Sequence, residues 1–186
     1  IRAVVNSDRY QGLLIDATGG HFHPLNLALG EAAALESLGG RVVEHSGVTR
    51  IERGAAPTVH TAQGSVRAKF VTVACNAYIG DLEPQLAAKS MPCGTQVIAT
   101  EPLGDLAGDI LPSDYCVEDN NFLLDYFRLS ADKRLIFGGG VIYGARDPPH
   151  VESFIAPKMV RVFPQLKDVK VEFGWTGYFL LTLNRL

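Results

Sequence analysis

Several things are scarce in this sequence, and each scarcity removes a class of function. No block of Lys and Arg occurs anywhere and the formal net charge is -3, so neither nucleic acid nor an anionic membrane is recommended as a partner. No apolar run approaches the roughly 20 residues that a membrane helix requires, and no membrane span is expected. The 3 cysteines, Cys75, Cys93 and Cys116, are odd in number, widely spaced and outside any C-x-x-C pattern. They argue against a disulfide framework or a zinc site and for free thiols in a reducing cytoplasm. Loops that cradle phosphate are missing too. No Walker loop, nucleophile elbow or G-x-G-x-x-G follows a strand, and "FGGGVIYG" has the wrong glycine spacing and no helix directly behind it. The chain opens on Ile1 without a signal-type region and stops at "TLNRL" inside an apolar pattern, so both ends read as cuts through a longer protein.

What is present is the pattern of a globular protein, with 47% hydrophobic and 20% charged residues. Tyr10 to Ile15 reads as a short strand, Gly19 and Gly20 as a turn, and Pro24 as the first turn of a helix. Leu25, Ala28, Leu29, Ala32, Leu35 and Leu38 recur at helical spacing until Gly39 and Gly40 supply a left-handed exit, and Arg41 to Glu44 reads as the next strand. Strand, helix, strand is compatible with a parallel crossover if the two strands share a sheet. A β-meander follows from Val48 to Arg53 and Pro57 to Thr61, with Gln63-Gly64 turning into "SVRAKFVTVACNAY". Phe70 to Val73 in that stretch predicts a buried strand dropping to small residues. Such an ending lets a cofactor or another backbone come close, and a tight strand-to-helix turn explains it equally.

From Met91 the texture changes to extended aromatic and β-branched runs, "MPCGTQVIATEPL", "NNFLLDYFRLS" and "KRLIFGGGVIYG", which predict an antiparallel sheet. An amphipathic helix is expected between Val151 and Phe163, with Phe154, Ile155, Met159, Val162 and Phe163 on its apolar side, then a closing strand pair in "VKVEFGWTGYFLLTL". The fold class expected is α/β, passing to α+β in the second half. Residues 1–90 are expected to make one domain and 91–186 an antiparallel sheet with a packed helix.

The chemistry-bearing residues are few. His21 and His23 are two apart, a spacing that clamps a metal from one strand face, but no further ligands accompany them, and a turn or pocket role fits better. Tyr126 and Arg128 share one strand face with Leu124, while Asp125, Phe127 and Leu129 share the other. An arginine beside a tyrosine on an apolar sheet suits a substrate carboxylate. A rim ion pair with Asp125 or Asp132 is the structural alternative. Trp175 and Gly177 pair a flat ring with a bare backbone, which serves a ligand or a core.

Taken together, "YQGLLIDATGGHFHPLNLALG", "VVEHSGVTRIE", "FVTVACNAYIGDLEP", "VIATEPL", "DYFRLSADKRLIFGGG" and "GWTGYFLLTLNRL" resemble, in order and spacing, the D-amino-acid-oxidase-like family of flavin oxidoreductases, most closely its gamma-glutamylputrescine oxidoreductase branch. The resemblance implies FAD as cofactor, with residues 1–90 a partial FAD-binding domain and 91–186 the substrate-domain sheet and the start of the return to the FAD domain, the glycine-rich loop lying N-terminal to such a region and a second flavin-contacting segment C-terminal to it. It implies cofactor contacts by the backbone at Val48 and at Ala74, Cys75 and Asn76, and at Trp175 and Gly177 near the flavin, with Tyr126 and Arg128 on the substrate. Cys75 departs from the more usual small hydroxyl residue. No catalytic acid–base pair is singled out, since the flavin carries the hydride chemistry. The implied activity is oxidation of a C–N bond of an amine or amino acid to an imine by the longer protein, in the cytoplasm. This piece alone is expected to be inactive, to hold FAD weakly or not at all, and either to self-associate through open edges or to stay partly unfolded near its ends. A flavoenzyme for another small substrate and a non-catalytic interaction module of the same fold stay open as alternatives.

Overall fold

The computed structural model describes residues 1–184, which divide into two compact units, residues 1–22 with 92–179 and residues 23–91 with the chain's last stretch.

In the second of these, helix α1 (Pro24–Ser37) starts where expected, with Pro24 at its head and the ring of His23 accepting the Asn26 N–H at 3.3 Å through Nδ1. His23 is therefore a helix cap. Gly39, at φ 85°, turns the chain out of the helix. No residue of α1 is buried. Strands β1 (Val48–Glu52), β2 (Thr58–Thr61) and β3 (Ser65–Arg67) form an antiparallel meander, with Arg50 opposite His60 and Val59 opposite Val66. Helix α2 (Pro84–Ala87) is a single turn, preceded by Glu83, whose buried carboxylate meets Arg53 at 2.5 Å.

The other unit is built on a five-stranded sheet of β4 (Ser90–Thr100), β5 (Val117–Glu118), β6 (Asp125–Leu129), β7 (Leu135–Tyr143) and β8 (Val171–Thr182), in the order β5-β6-β7-β4-β8. The first residues of β4 and the last of β8 are counted with the other unit. A short helix, α3 (Leu106–Ile110), follows β4, and α4 (Val151–Val162) lies on one face of the sheet. Its Ile155, Met159 and Val162 are buried, as their helical spacing predicts, and Phe163 just beyond it is fully enclosed; Phe154 is left half exposed. Phe127 of β6 is the hinge of the core, stacked on Phe137 at 5.6 Å and edge-on to Phe163 at 5.0 Å. Val5, from the start of the chain, closes the same cluster.

Three expected strands are absent. Tyr10–Ile15, Arg41–Glu44 and Phe70–Val73 run without ladder partners, and Leu14 and Phe70 are 98% and 88% exposed. An apolar run becomes a strand only when a neighbour pairs its N–H and C=O groups and a layer covers its face, and no other described segment offers these three an edge. No parallel crossover therefore forms among the described residues. The closing segment is one long strand, β8, instead of a pair, and the block ending in "NRL" runs past the described residues at its last two positions.

Candidate functional site

Alternation along β6 gives the sheet two unlike faces. Asp125, Phe127 and Leu129 are buried on the α4 side, and Tyr126 and Arg128 are half-buried on the opposite, open face, as the two-residue spacing predicts. The Tyr126 hydroxyl hydrogen-bonds that of Thr95 at 2.8 Å. Burial raises the Tyr126 phenol above its ordinary pKa, and the Thr95 hydrogen bond partly offsets this, so the phenol is neutral and can donate at physiological pH.

Arg128 donates from Nη1 to the Leu129 carbonyl at 3.2 Å and has no carboxylate partner among the described residues. The ion pairs that would make it structural are taken. Asp132 accepts from Arg134 Nε at 2.7 Å, and Asp125 lies on the other face with Lys158 at 3.8 Å and Arg9 at 3.9 Å. Arg128 thus presents a half-buried positive charge beside a phenol, on a face that also carries Thr95 and, opposite Tyr126, the exposed Glu118, and its guanidinium can receive a carboxylate.

Trp175 and Gly177 share this open face. Their neighbours in β8 point toward α4: a Cβ at Gly174 would come 2.7 Å from Glu152, and Thr176 packs against Gly94. Trp175 and Gly177, alternating with them, point the other way. Trp175 is 44% exposed, and a Cβ at Gly177 would meet nothing within 4 Å. β8 is separated from β6 by β7 and β4, about 14 Å at roughly 4.8 Å per strand. The structure therefore sets Tyr126 and Arg128 side by side and Trp175 with Gly177 farther along the same face.

Val48, Ala74, Cys75 and Asn76 belong to the other unit. Val48 opens β1 opposite Thr61. Ala74 and Asn76 are exposed and Cys75 is half-buried where the chain enters a single 3₁₀ turn, Asn76–Tyr78, with Asn76 at φ 47°. Short side chains on exposed backbone fit the flank of a dinucleotide. The pyrophosphate cradle itself, a glycine-rich turn opening a helix, is not in this sequence. His21 Nε2 lies 3.0 Å from the Asp114 carbonyl and His23 Nδ1 caps α1, so each histidine of "GGHFHP" holds a turn or a helix end.

Sequence reasoning missed Thr95 and Gly138. Thr95 meets Tyr126 across 31 positions of sequence, a relation that no local pattern carries. Gly138 stands directly opposite Tyr126 in the β6–β7 register. Its glycine run is visible in the sequence, but glycine spacing tests for a phosphate loop and says nothing of a ring lying across a strand.

The family model described as "DAO: FAD dependent oxidoreductase" matches residues 1–185. The chain is 60% identical over its whole length to gamma-glutamylputrescine oxidoreductase of Escherichia coli (strain K12), covering 44% of that protein. It is 40% identical over 97% of its length to a probable oxidoreductase, OrdL, of Haemophilus influenzae, of which it covers 42%. The chain thus spans less than half the length of these curated relatives. Its fold matches the crystal structure of glycine oxidase from Geobacillus kaustophilus with a TM-score of 0.72 at 20% identity, over 87% of this chain and 43% of that one.

Proposed function

Because the chain belongs to the DAO family of FAD-dependent oxidoreductases, we propose that it carries the substrate-binding sheet of an enzyme that oxidises a C–N bond of gamma-glutamylputrescine, or of an amine closely like it, to an imine. The observation that carries this reading is the unpaired guanidinium of Arg128 beside the Tyr126 phenol. The glutamyl end of such a substrate bears a carboxylate, which Arg128 binds, while Tyr126 offers a neutral donor to a neighbouring polar atom. FAD, when bound, supplies the hydride acceptor. The protein's part is to orient the amine: Trp175 covers the face and the bare backbone at Gly177 leaves room for a flat group. Val48 and Ala74 to Asn76 are the proposed cofactor contacts of the other unit.

In this reading residues 91–186 serve the substrate and begin the return to the FAD domain, where Trp175 and Gly177 meet the flavin, and the stretch before them serves the cofactor. The change of compact unit at residues 91/92 supports that boundary, with residues 1–22 packing on the substrate side. A cytoplasmic setting is part of the proposal, supported by Cys75, Cys93 and Cys116, which form no disulfide. No helix among the described residues is long and apolar enough to cross a membrane.

The test is Arg128→Ala in the full-length protein. Loss of a charge-assisted hydrogen bond of roughly 1.5–3 kcal/mol raises KM for gamma-glutamylputrescine about ten- to a hundredfold while flavin content stays at the wild-type level. Normal kinetics in this variant would remove Arg128 from the substrate site.

A further inference from the structure

We propose that Gly138 and Thr95 are positioning residues that hold Tyr126 flat across β7 and thereby fix where its hydroxyl meets the substrate. The proposal rests on the reading of Tyr126 and Arg128 as substrate contacts.

The three consecutive glycines of β7 each leave out a side chain for a different reason. Gly138 lies opposite Tyr126, and a Cβ there would collide with the hydroxyl end of the phenol, at Cε2 and Cζ. The ring thus fills the space that any other residue at 138 would occupy. Gly139 is the middle of a rung from Asp125 to Gln96 on the α4 side, and its Cβ would come 2.8 Å from Asp125 Oδ1 and 3.6 Å from Lys158 Nζ. Gly140 stands at φ 81°, where a Cβ would come 2.7 Å from the Phe154 ring.

That left-handed residue marks a bulge. Gly94 pairs with Ile142 and Gln96 with Gly139, so β7 runs three residues while β4 runs two, and Thr95 is the β4 residue within the irregular stretch. Thr95 and Tyr126 sit on strands separated by β7, yet their hydroxyls are 2.8 Å apart. They meet because Gly138 puts no side chain between them. The bulge aims one hydroxyl, the glycine clears the path, and the phenol is pinned at both ring and tip.

The test is a double-mutant cycle in the full-length, FAD-loaded enzyme with gamma-glutamylputrescine as probe. Thr95→Val keeps the shape and removes the hydroxyl; KM is expected to rise about three- to tenfold, the range of one neutral hydrogen bond, with kcat within about twofold. Tyr126→Phe is expected to raise KM as well, and Thr95→Val should then add nothing, because the two hydroxyls act as one unit. Additive effects, or a Thr95→Val variant with unchanged KM beside a Tyr126→Phe variant that binds poorly, would overturn the positioning role and leave the substrate face standing. An unchanged KM in Tyr126→Phe would overturn both. The ring slot is tested without substrate: Gly138→Ala should lower the melting temperature of the wild type but not that of a Tyr126→Ala background. A penalty that persists after the ring is gone would overturn the slot.

Discussion

The two units of this chain are similar in apolar pattern and opposite in what they do with it. Every member of the buried hydrophobic cluster, from Val5 to Leu166, belongs to the unit of residues 1–22 and 92–179. In the other unit α1 has leucines at helical spacing and buries none of them; Leu25 and Leu29 are both 60% exposed. A periodic apolar stripe therefore states which face is available for packing. Whether that face is packed depends on a second layer, which α4 finds in the sheet and α1 does not find among the described residues.

The largest effect expected from this contrast is at Phe137, fully buried and stacked on Phe127. In the chain by itself, Phe137→Ala should cost about 3–5 kcal/mol through lost burial and the cavity left behind, whereas Leu29→Ala should stay within about 0.5 kcal/mol. Denaturant unfolding of the two variants reads the difference, and comparable losses would mean that α1 is packed in solution.

A smaller effect, of about 1–3 kcal/mol, is expected for Gly140→Ala, since any side chain there faces both a left-handed backbone and the Phe154 ring. Gly54, also at positive φ but with nothing within 4 Å of a Cβ, should show the backbone cost without the collision. Thermal melts of Gly140→Ala and Gly54→Ala separate the two contributions.

The smallest effect concerns Arg134, which pairs with Asp132 at 2.7 Å and Glu172 at 2.5 Å and donates to the Thr100 carbonyl at 2.8 Å. Hydrogen bonds to Ser130 and then Arg134 hold the Asp132 carboxyl below its usual pKa, and that to Arg134 does the same for Glu172. A carboxylate whose folded pKa is depressed adds stability above its unfolded pKa and loses it as pH falls through the folded one. Arg134→Ala should accordingly lower the melting temperature slightly at neutral pH. The gap to wild type should narrow as the pH drops through and below the ordinary carboxylate range. Exposed pairs of this kind are weak, so a gap that stayed undiminished in acid would show the carbonyl contact or the packing on Phe173, 5.4 Å away, to be the larger part.

Much of the sheet was legible in the residues themselves. β4, β6 and β7 follow from aromatic and β-branched alternation, α4 from its helical spacing, and the shared face of Tyr126 and Arg128 from their two-residue step. What could not be read was partnership. Tyr10–Ile15, Arg41–Glu44 and Phe70–Val73 have strand composition, but composition carries no information about whether an edge lies alongside. The Thr95–Tyr126 contact was hidden for a related reason: it depends on a bulge in a third strand, and a bulge is a property of register, which a single strand's residues do not determine.

The glycine run of β7 also bears on how this sequence can drift. Tyr126, Asp125 with the Leu124 carbonyl, and Phe154 lean into positions 138 to 140 from neighbouring elements, and at 140 the left-handed backbone adds to the constraint. Each glycine and its occupant therefore form one unit of heredity. A lineage that gained a side chain at 138 would have to shrink the residue at 126 in step, and one that lost the aromatic at 154 would ease the steric part of the constraint on 140. In an alignment, these pairs should change together or stay fixed together, leaving a record of the three contacts in the substitution pattern.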